Sequence, residues 1–313
     1  MMALVRYRSL VADSARWDGF ALRPGDIVIS TPAKCGTTWM QMLCALLIFD
    51  GPRFPAPLDE LSPWLDMCNQ PLADVRAKLA AQTHRRFIKT HTPLDGVPLR
   101  ADVTYVVVGR DPRDVAVSME HHLANMDFDH FLALRTHVMG TDGLEEFQRP
   151  APDDDPGERF RAFMRSEPSG GPHGLASIVH HLTTAWGRRH AGNVLLVHYA
   201  DMKADLVGEL LRLAAALAIP LARAHAVELA AEASLDRMRV RASELAPASS
   251  QANWKDPRAF FRRGGFGEWR ARIDERDAAE YEGRVAALAA PDLAAWMHRG
   301  RLASGIDPEA AAR

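Results

Sequence analysis

Lys34, Gly36, Thr37 and Thr38 stand within the run Thr31-Pro-Ala-Lys-Cys-Gly-Thr-Thr-Trp39, directly after the apolar stretch from Ile27 to Ile29. An ammonium, two hydroxyls and a glycine at this spacing make an anion cradle. Pro32 and Gly36 permit a tight turn, and a helix beginning after Gly36 presents unpaired backbone N–H groups to a phosphate. The order differs from the nucleotide loop G-x-x-x-x-G-K-[ST], because Lys34 precedes Gly36 and Thr31 stands in place of the first glycine. A second set is Arg110, at the end of the run from Tyr105 to Gly109, and Ser118, about two helical turns further on, where both reach one phosphate. A third is the basic, glycine-rich run Phe261-Arg-Arg-Gly-Gly-Phe-Gly-Glu-Trp269, with Arg262, Arg263 and the backbone of Gly264. His91 ends the run from Arg86, and an imidazole titrates near neutrality, as a general base should.

These residues need a scaffold that brings four separate segments to one edge. Strands are expected near 27–31, 86–90, 103–109 and 194–198, alternating with helices at 37–49, 73–82, 111–124 and 174–190. Such alternation predicts an α/β fold with a parallel sheet covered on both faces. Further helices are expected near 201–218, 222–241 and 275–298. In an open sheet of this kind, ligands gather outside the carboxyl ends of the strands, which is where His91 falls. Lys89, two residues earlier, shares its face if the strand persists. The adjacent pairs His121-His122 and His180-His181 diverge on a helix, and no H-E-x-x-H occurs, so no metal site is read from them. A helix surface is the preferred placement for His122 and His181, with the pocket wall as the alternative.

Taken in order, the three anion-binding segments resemble those of sulfotransferases that use 3′-phosphoadenosine 5′-phosphosulfate (PAPS), and the resemblance covers residues 20 to 285. The turn at Lys34 is similar to that family's 5′-phosphosulfate loop. The segment from Tyr105 to Ser118 is similar to its 3′-phosphate segment, and the run from Phe261 to Trp269 to its C-terminal loop. The resemblance implies a P-loop-like three-layer sandwich with a central parallel sheet. It also implies that Lys34, Cys35, Gly36, Thr37 and Thr38 hold the 5′-phosphate side, and that Arg110, Ser118, Arg262, Arg263 and Gly264 hold the 3′-phosphate. Arg86-Phe-Ile-Lys-Thr-His91 resembles the strand that carries the family's catalytic base, with Lys34, Lys89 and Ser118 also near the reaction. Trp39 matches the residue that stacks on adenine, and Tyr199 would approach the same base. Leu235 stands where the family commonly places an aromatic ring.

In-line sulfuryl transfer requires an acceptor freed of its proton and a cation for the charge that develops on the leaving oxygen. His91 suits the first task and Lys34 the second. Lysines and backbone amides would do the work of the divalent metal in kinases, so no metal is expected. Two rivals are a Mg-dependent P-loop nucleotide kinase and a non-catalytic nucleotide-binding module of the same fold. Sulfation followed by elimination is a third outcome, open within the family.

Composition frames this reading. The chain has 313 residues, 47% of them hydrophobic and 25% charged, with a formal net charge of −2. That length and the scatter of the site over both halves favour one sulfotransferase domain across residues 1–313. Near-neutral charge argues against nucleic acid as a partner. Cys35, Cys44 and Cys68 give no disulfide framework. Charges are scattered through Met1 to Phe20 and no apolar stretch there approaches the length needed to span a bilayer, so a cytoplasmic enzyme with a small, partly apolar alcohol, phenol or amine as acceptor is expected. Oligomeric state is open, since the chain departs from the dimerisation pattern of many animal members after Trp269. Residues 120–174 are expected to form a lid over the acceptor pocket, with a mobile surface insertion that takes no part in catalysis as the equal alternative. Phe128, Phe131, Leu132, Phe147, Phe160 and Phe163 would line the pocket, with Pro63-Trp64-Leu65 as another wall.

Overall fold

The computed structural model describes residues 4–142, 144, 155–167, 174–247, 253–262 and 264–310. Its centre is a four-stranded parallel sheet of β1 (Ile27–Ser30), β2 (Phe87–Thr90), β3 (Thr104–Gly109) and β4 (Val194–His198), in the order β2-β1-β3-β4. The register pairs Ile29 with Lys89 and Val106 across β1, and Gly109 with His198 at the far edge. Because β2 and β3 flank β1 on opposite sides, the topology reverses at β1. The crevice beyond its carboxyl end is therefore the place for a ligand.

Alternation along the strands divides the apolar residues between two layers. Val28, Ile88, Tyr105, Val107, Val194 and Leu196 enter one core cluster, whereas Ile27, Ile29, Phe87, Val106, Val108, Leu195 and Val197 enter the other. Period-two placement with both faces buried requires helices on both sides, which gives the three-layer sandwich. Against the second cluster pack α1 (Thr37–Ile48), α2 (Leu58–Leu61) and the later helices α8 (Tyr199–Ala204) to α12. Against the first lie α3 (Leu72–Ala81), α6 (Pro156–Arg165), α7 (Leu175–Trp186), α13 (Glu275–Leu288) and α14 (Pro291–Ser304). Between them, α4 (Pro112–Asn125) leaves the end of β3, and α5 (Phe128–Met139) follows it.

All four strands and the first four helices fall where the sequence places them. The later expectations were too long. The span 201–218 divides into α8 and α9 (Leu206–Ala216), because Asp205 closes one helix and caps the next by accepting from the Gly208 N–H. The span 222–241 divides into α10 (Arg223–Glu232) and α11 (Leu235–Val240), followed by α12 (Ala242–Leu245). Pro291 starts α14 and so breaks the span 275–298. Asp155 and Pro156 likewise cap and open α6 inside a stretch that composition alone marks as linker.

The aromatic residues expected in the lid fall in two places. Phe128 and Phe131 line the central cavity, and Leu132 packs in the small cluster of Met67, Met126 and Phe131. Phe160 and Phe163 do not join them. Phe160 packs against Tyr281, and Phe163 against Phe160, in the core on the far side of the sheet, because α6 is amphipathic and docks on α7 and α13. Phe147 lies outside the described residues.

Candidate active site

Gly36 caps α1 in the left-handed region at φ 102°, and no side chain takes up the first N–H groups of that helix. Only glycine fits there: a Cβ would lie 2.9 Å from the ring of Tyr199. Lys34 also sits at positive φ, 66°, which aims its side chain across the turn. Its Nζ lies 3.1 Å from His122 Nδ1 and 4.5 Å above the Phe260 ring. Burial, with the nearby Arg110 and Lys89 cations, pulls Lys34 down to about 7. Thr31 and Thr37 share a hydroxyl hydrogen bond under the turn.

His91 Nδ1–H donates to the carbonyl of Thr31 over 2.7 Å, which fixes the ring by the turn and leaves the lone pair on Nε2. Trp64 stands edge-on to that ring, with centroids 4.6 Å apart, and also lies 4.1 Å from Lys89 Nζ. Lys89 is buried, which draws it down to about 8. Behind these groups, the buried carboxyl of Asp66 accepts from Thr90, Thr92 and Trp17, tying the end of β2 to the N-terminal segment around Trp17.

Arg110 donates from Nη1 to the Lys34 carbonyl and from Nη2 to the Gly265 carbonyl, at 3.0 and 3.2 Å. One guanidinium thereby joins the first and third anion-binding segments. Its Nε is buried without a hydrogen-bond partner, and its plane covers Tyr199 at 4.4 Å. Trp39 meets Tyr199 edge-on at 5.5 Å and donates to the Ala233 carbonyl. Gly264, at φ 58°, passes so close that a Cβ would be 2.9 Å from the Tyr199 hydroxyl and 3.4 Å from Leu235. Arg262 pairs with Glu268 at 2.8 Å, and Gly267 N–H donates to Asp114 on α4.

A single cavity of about 910 Å³ collects these groups. Lys34, Gly36, Thr37, Thr38, Trp39, Lys89, His91, Arg110, Ser118, Tyr199, Leu235, Arg262 and Gly264 all line it. Cys35 does not: its side chain turns into the core on the other face of the sheet, where burial pushes its thiol up to about 12. Arg263 lies outside the described residues. Ser118 and His122 both reach the cavity because they are four residues apart on α4.

Neither histidine that the sequence reading placed on a helix surface is there. His122 lines the cavity, and His181 is buried, with its Nε2 2.9 Å from the Ser30 hydroxyl and its protonation driven down to about 3 by burial. Residues from the N-terminal segment, Arg8 to Val11, and Asn253 and Trp254 also form walls. Trp254 was legible as a large apolar residue but carried no spacing signal. Arg239, which donates to the carbonyls of Phe261 and Arg262 and so shapes the third segment, carried none either. Among the described residues, no cluster of three His, Cys, Asp or Glu could hold a metal, and no helix is long and apolar enough to cross a membrane.

The model of the sulfotransferase domain matches residues 24–290. A glycolipid sulfotransferase of Mycobacterium bovis is 49% identical over 97% of this chain and 96% of its own length, and one of Mycobacterium tuberculosis is 49% identical over the same shares. Among solved structures, retinol dehydratase in complex with androsterone and the inactive cofactor PAP superposes with a TM-score of 0.69. It is 23% identical, with 89% of this chain and 86% of that one covered. A mouse sulfotransferase complexed with PAP gives 0.64 at 18% identity, with 88% and 87% covered. These likenesses confirm the P-loop-like sandwich. With the domain match across most of the chain and close relatives along almost all of it, the chain belongs to the sulfotransferase family.

Proposed function

We propose that the chain, acting as one catalytic unit, transfers a sulfuryl group from PAPS to a hydroxyl of a glycolipid-like acceptor with a polar head and an apolar body. The observation that carries this reading is that one cavity joins the Lys34 turn, the Arg110 and Gly264 contacts, and His91 to an apolar chamber. Met67, Met119, Leu123, Met126, Phe128 and Phe131 wall that chamber. The relatives' name, glycolipid sulfotransferase, favours the same acceptor class.

The donor set suits a nucleotide carrying phosphates at both ends. Arg110 Nε is a buried donor without a partner, and Gly264 leaves space that a Cβ would fill. The first-turn N–H groups of α1, with Thr37 and Thr38, would hold the 5′-phosphate; Arg110, Ser118, Arg262 and the Gly264 backbone would hold the 3′-phosphate. Arg263 belongs to that set by its place in the sequence. Trp39, Tyr199 and Leu235 form the slot for the base. When bound, PAPS supplies a sulfuryl group already activated by its link to phosphate.

His91 Nε2 takes the acceptor proton as the acceptor oxygen bonds to sulfur, and its Nδ1 bond to Thr31 keeps the required tautomer. Lys34 places its ammonium at the oxygen that leaves with the phosphate, where it neutralises the charge gained when the sulfur–oxygen bond breaks. Lys89, held against Trp64, serves the sulfuryl oxygens. The residues named here carry the charge compensation, so EDTA should leave the rate unchanged. Within residues 120–174, α5 would close the acceptor side through Phe128 and Phe131. Thermal shift with 3′,5′-adenosine bisphosphate (PAP), ATP and NAD tests the binding half. PAP should stabilise wild type far more than the other two. Equal shifts for all three would remove the basis of the proposal.

A further inference from the structure

His122 is not one of the residues assigned to the reaction above, yet it is the hydrogen-bond partner of the group on which the leaving oxygen depends. It lies one helical turn beyond Ser118 on α4 and lines the cavity. Its ring meets Trp254 edge-on at 4.9 Å and Phe260 at 6.2 Å, so two aromatic walls hold it in place. Lys34 Nζ reaches the same Phe260 face, at 4.5 Å, and stops 3.1 Å from Nδ1. An ammonium has donors only, so the imidazole must accept at Nδ1 and carry its proton on Nε2. His91 has the opposite tautomer, with the proton on Nδ1 and the lone pair on Nε2. The two imidazoles of the cavity are thereby divided: one can take a proton at Nε2, and the other is committed to holding a cation.

We propose that His122 is a positioning residue that keeps Lys34 charged and in place at the leaving-group side of the cavity. The need for such a partner follows from the surroundings. From the loop, strand and helix around it, Lys34 faces Arg110, Lys89 and His122, with no carboxylate among the charges that dominate its environment. His121, the neighbour of His122, is surrounded by Arg262 and Arg272 against Glu120 and Glu268. Two cations and burial all push Lys34 toward the neutral amine, and a neutral amine would not stabilise the departing oxygen. A neutral imidazole that accepts one ammonium hydrogen bond is the compensating contact in the cavity. Protonation of His122 at acid pH would place two positive groups 3.1 Å apart and turn the contact from attractive to repulsive.

The inference rests on the role given to Lys34, but its test reads the free protein and does not depend on turnover. Competitive labelling of the Lys34 amine across pH gives its titration midpoint in wild type, His122→Phe, His122→Leu and His122→Asn. The expected result is a midpoint lower by about one unit or more in the two apolar variants, equivalent to a tenfold loss of ammonium at a fixed pH above it. His122→Asn should recover most of the shift, since its amide oxygen accepts in place of Nδ1. The alkaline limb of the kcat profile should move to lower pH in the apolar variants. An unchanged Lys34 midpoint in both apolar variants overturns the proposal. Nitrogen-15 shifts of His122 in wild type provide a check that requires no variant: an unprotonated Nδ1 above neutral pH supports it, and a protonated Nδ1 overturns it.

Discussion

Arg110 bonds through one nitrogen to the Lys34 carbonyl and through another to the Gly265 carbonyl, so a single side chain at the end of β3 ties together one loop 76 residues before it and another 155 residues after it in the chain. One guanidinium thus joins the two segments proposed to hold the opposite phosphates of the nucleotide.

Replacing Arg110 should therefore do more than remove a charge. Arg110→Lys keeps the cation but loses the fork that spans both carbonyls. Calorimetry should show PAP affinity reduced by roughly 10- to 100-fold, the worth of one or two charge-assisted hydrogen bonds. Affinity within twofold of wild type would assign Arg110 to loop structure alone.

His91→Asn preserves a polar group of similar reach and removes the proposed base. Steady-state rates should fall by about 10²- to 10⁴-fold in kcat, with PAP binding unaltered. A fall confined to KM would mean that His91 binds the acceptor without taking its proton.

Lys34 titrates near 7 in the folded protein against an ordinary value of 10.5. Between those pH values the unfolded chain binds more protons than the folded one, so stability rises with pH across that window. At pH 7 the buried ammonium costs stability that Lys34→Met would recover. Calorimetric melting should show a higher Tm for the variant at pH 7, a smaller advantage near pH 10, and almost no activity at either. A pH-independent difference would place the cost elsewhere.

His181 has the same linkage at the acid end. Its folded protonation lies near 3 and its unfolded protonation near 6.5. The unfolded state thus takes up a proton that the folded state refuses, and stability drops as pH falls from about 6.5 toward 3. Denaturant titrations at pH 7 and pH 4.5 should show this loss reduced in His181→Gln, which keeps a polar partner for Ser30.

Gly264→Ala probes the approach of the third segment to Tyr199. The new methyl would meet the hydroxyl at 2.9 Å in a backbone conformation that disfavours it. PAP affinity should fall several-fold while far-ultraviolet circular dichroism stays unchanged, because the loop, not the sheet, must move.

The parts of this protein that were legible in the sequence are those governed by local periodicity and by chemically rare groupings. The runs at Ile27, Phe87, Tyr105 and Val194 are short, apolar and bounded by turns, so each strand could be placed to within a residue or two. Arg110 and His91 were legible because each follows a strand run with a group that such a run does not otherwise contain, and Lys34 and Gly36 because they stand together in the turn after another. Helix ends after residue 201 were less so, since Asp205 and Pro291 act as caps inside stretches whose composition reads as continuous helix. The placement of Phe160 could not be read, because an aromatic residue in an amphipathic helix packs equally well on either side of a sheet. The pairing of His122 with Lys34 depends on residues 88 positions apart meeting across the cavity, and no spacing rule encodes that.

The most direct test is sulfuryl transfer itself, followed with radiolabelled PAPS and a purified glycolipid acceptor, in wild type and His91→Asn. Labelled lipid should accumulate with wild type and fall at least a hundredfold with the variant, while both proteins keep the same PAP-induced rise in Tm. Equal labelling by the two proteins, or no labelling of any hydroxyl acceptor by a wild-type protein that binds PAP, would contradict the account.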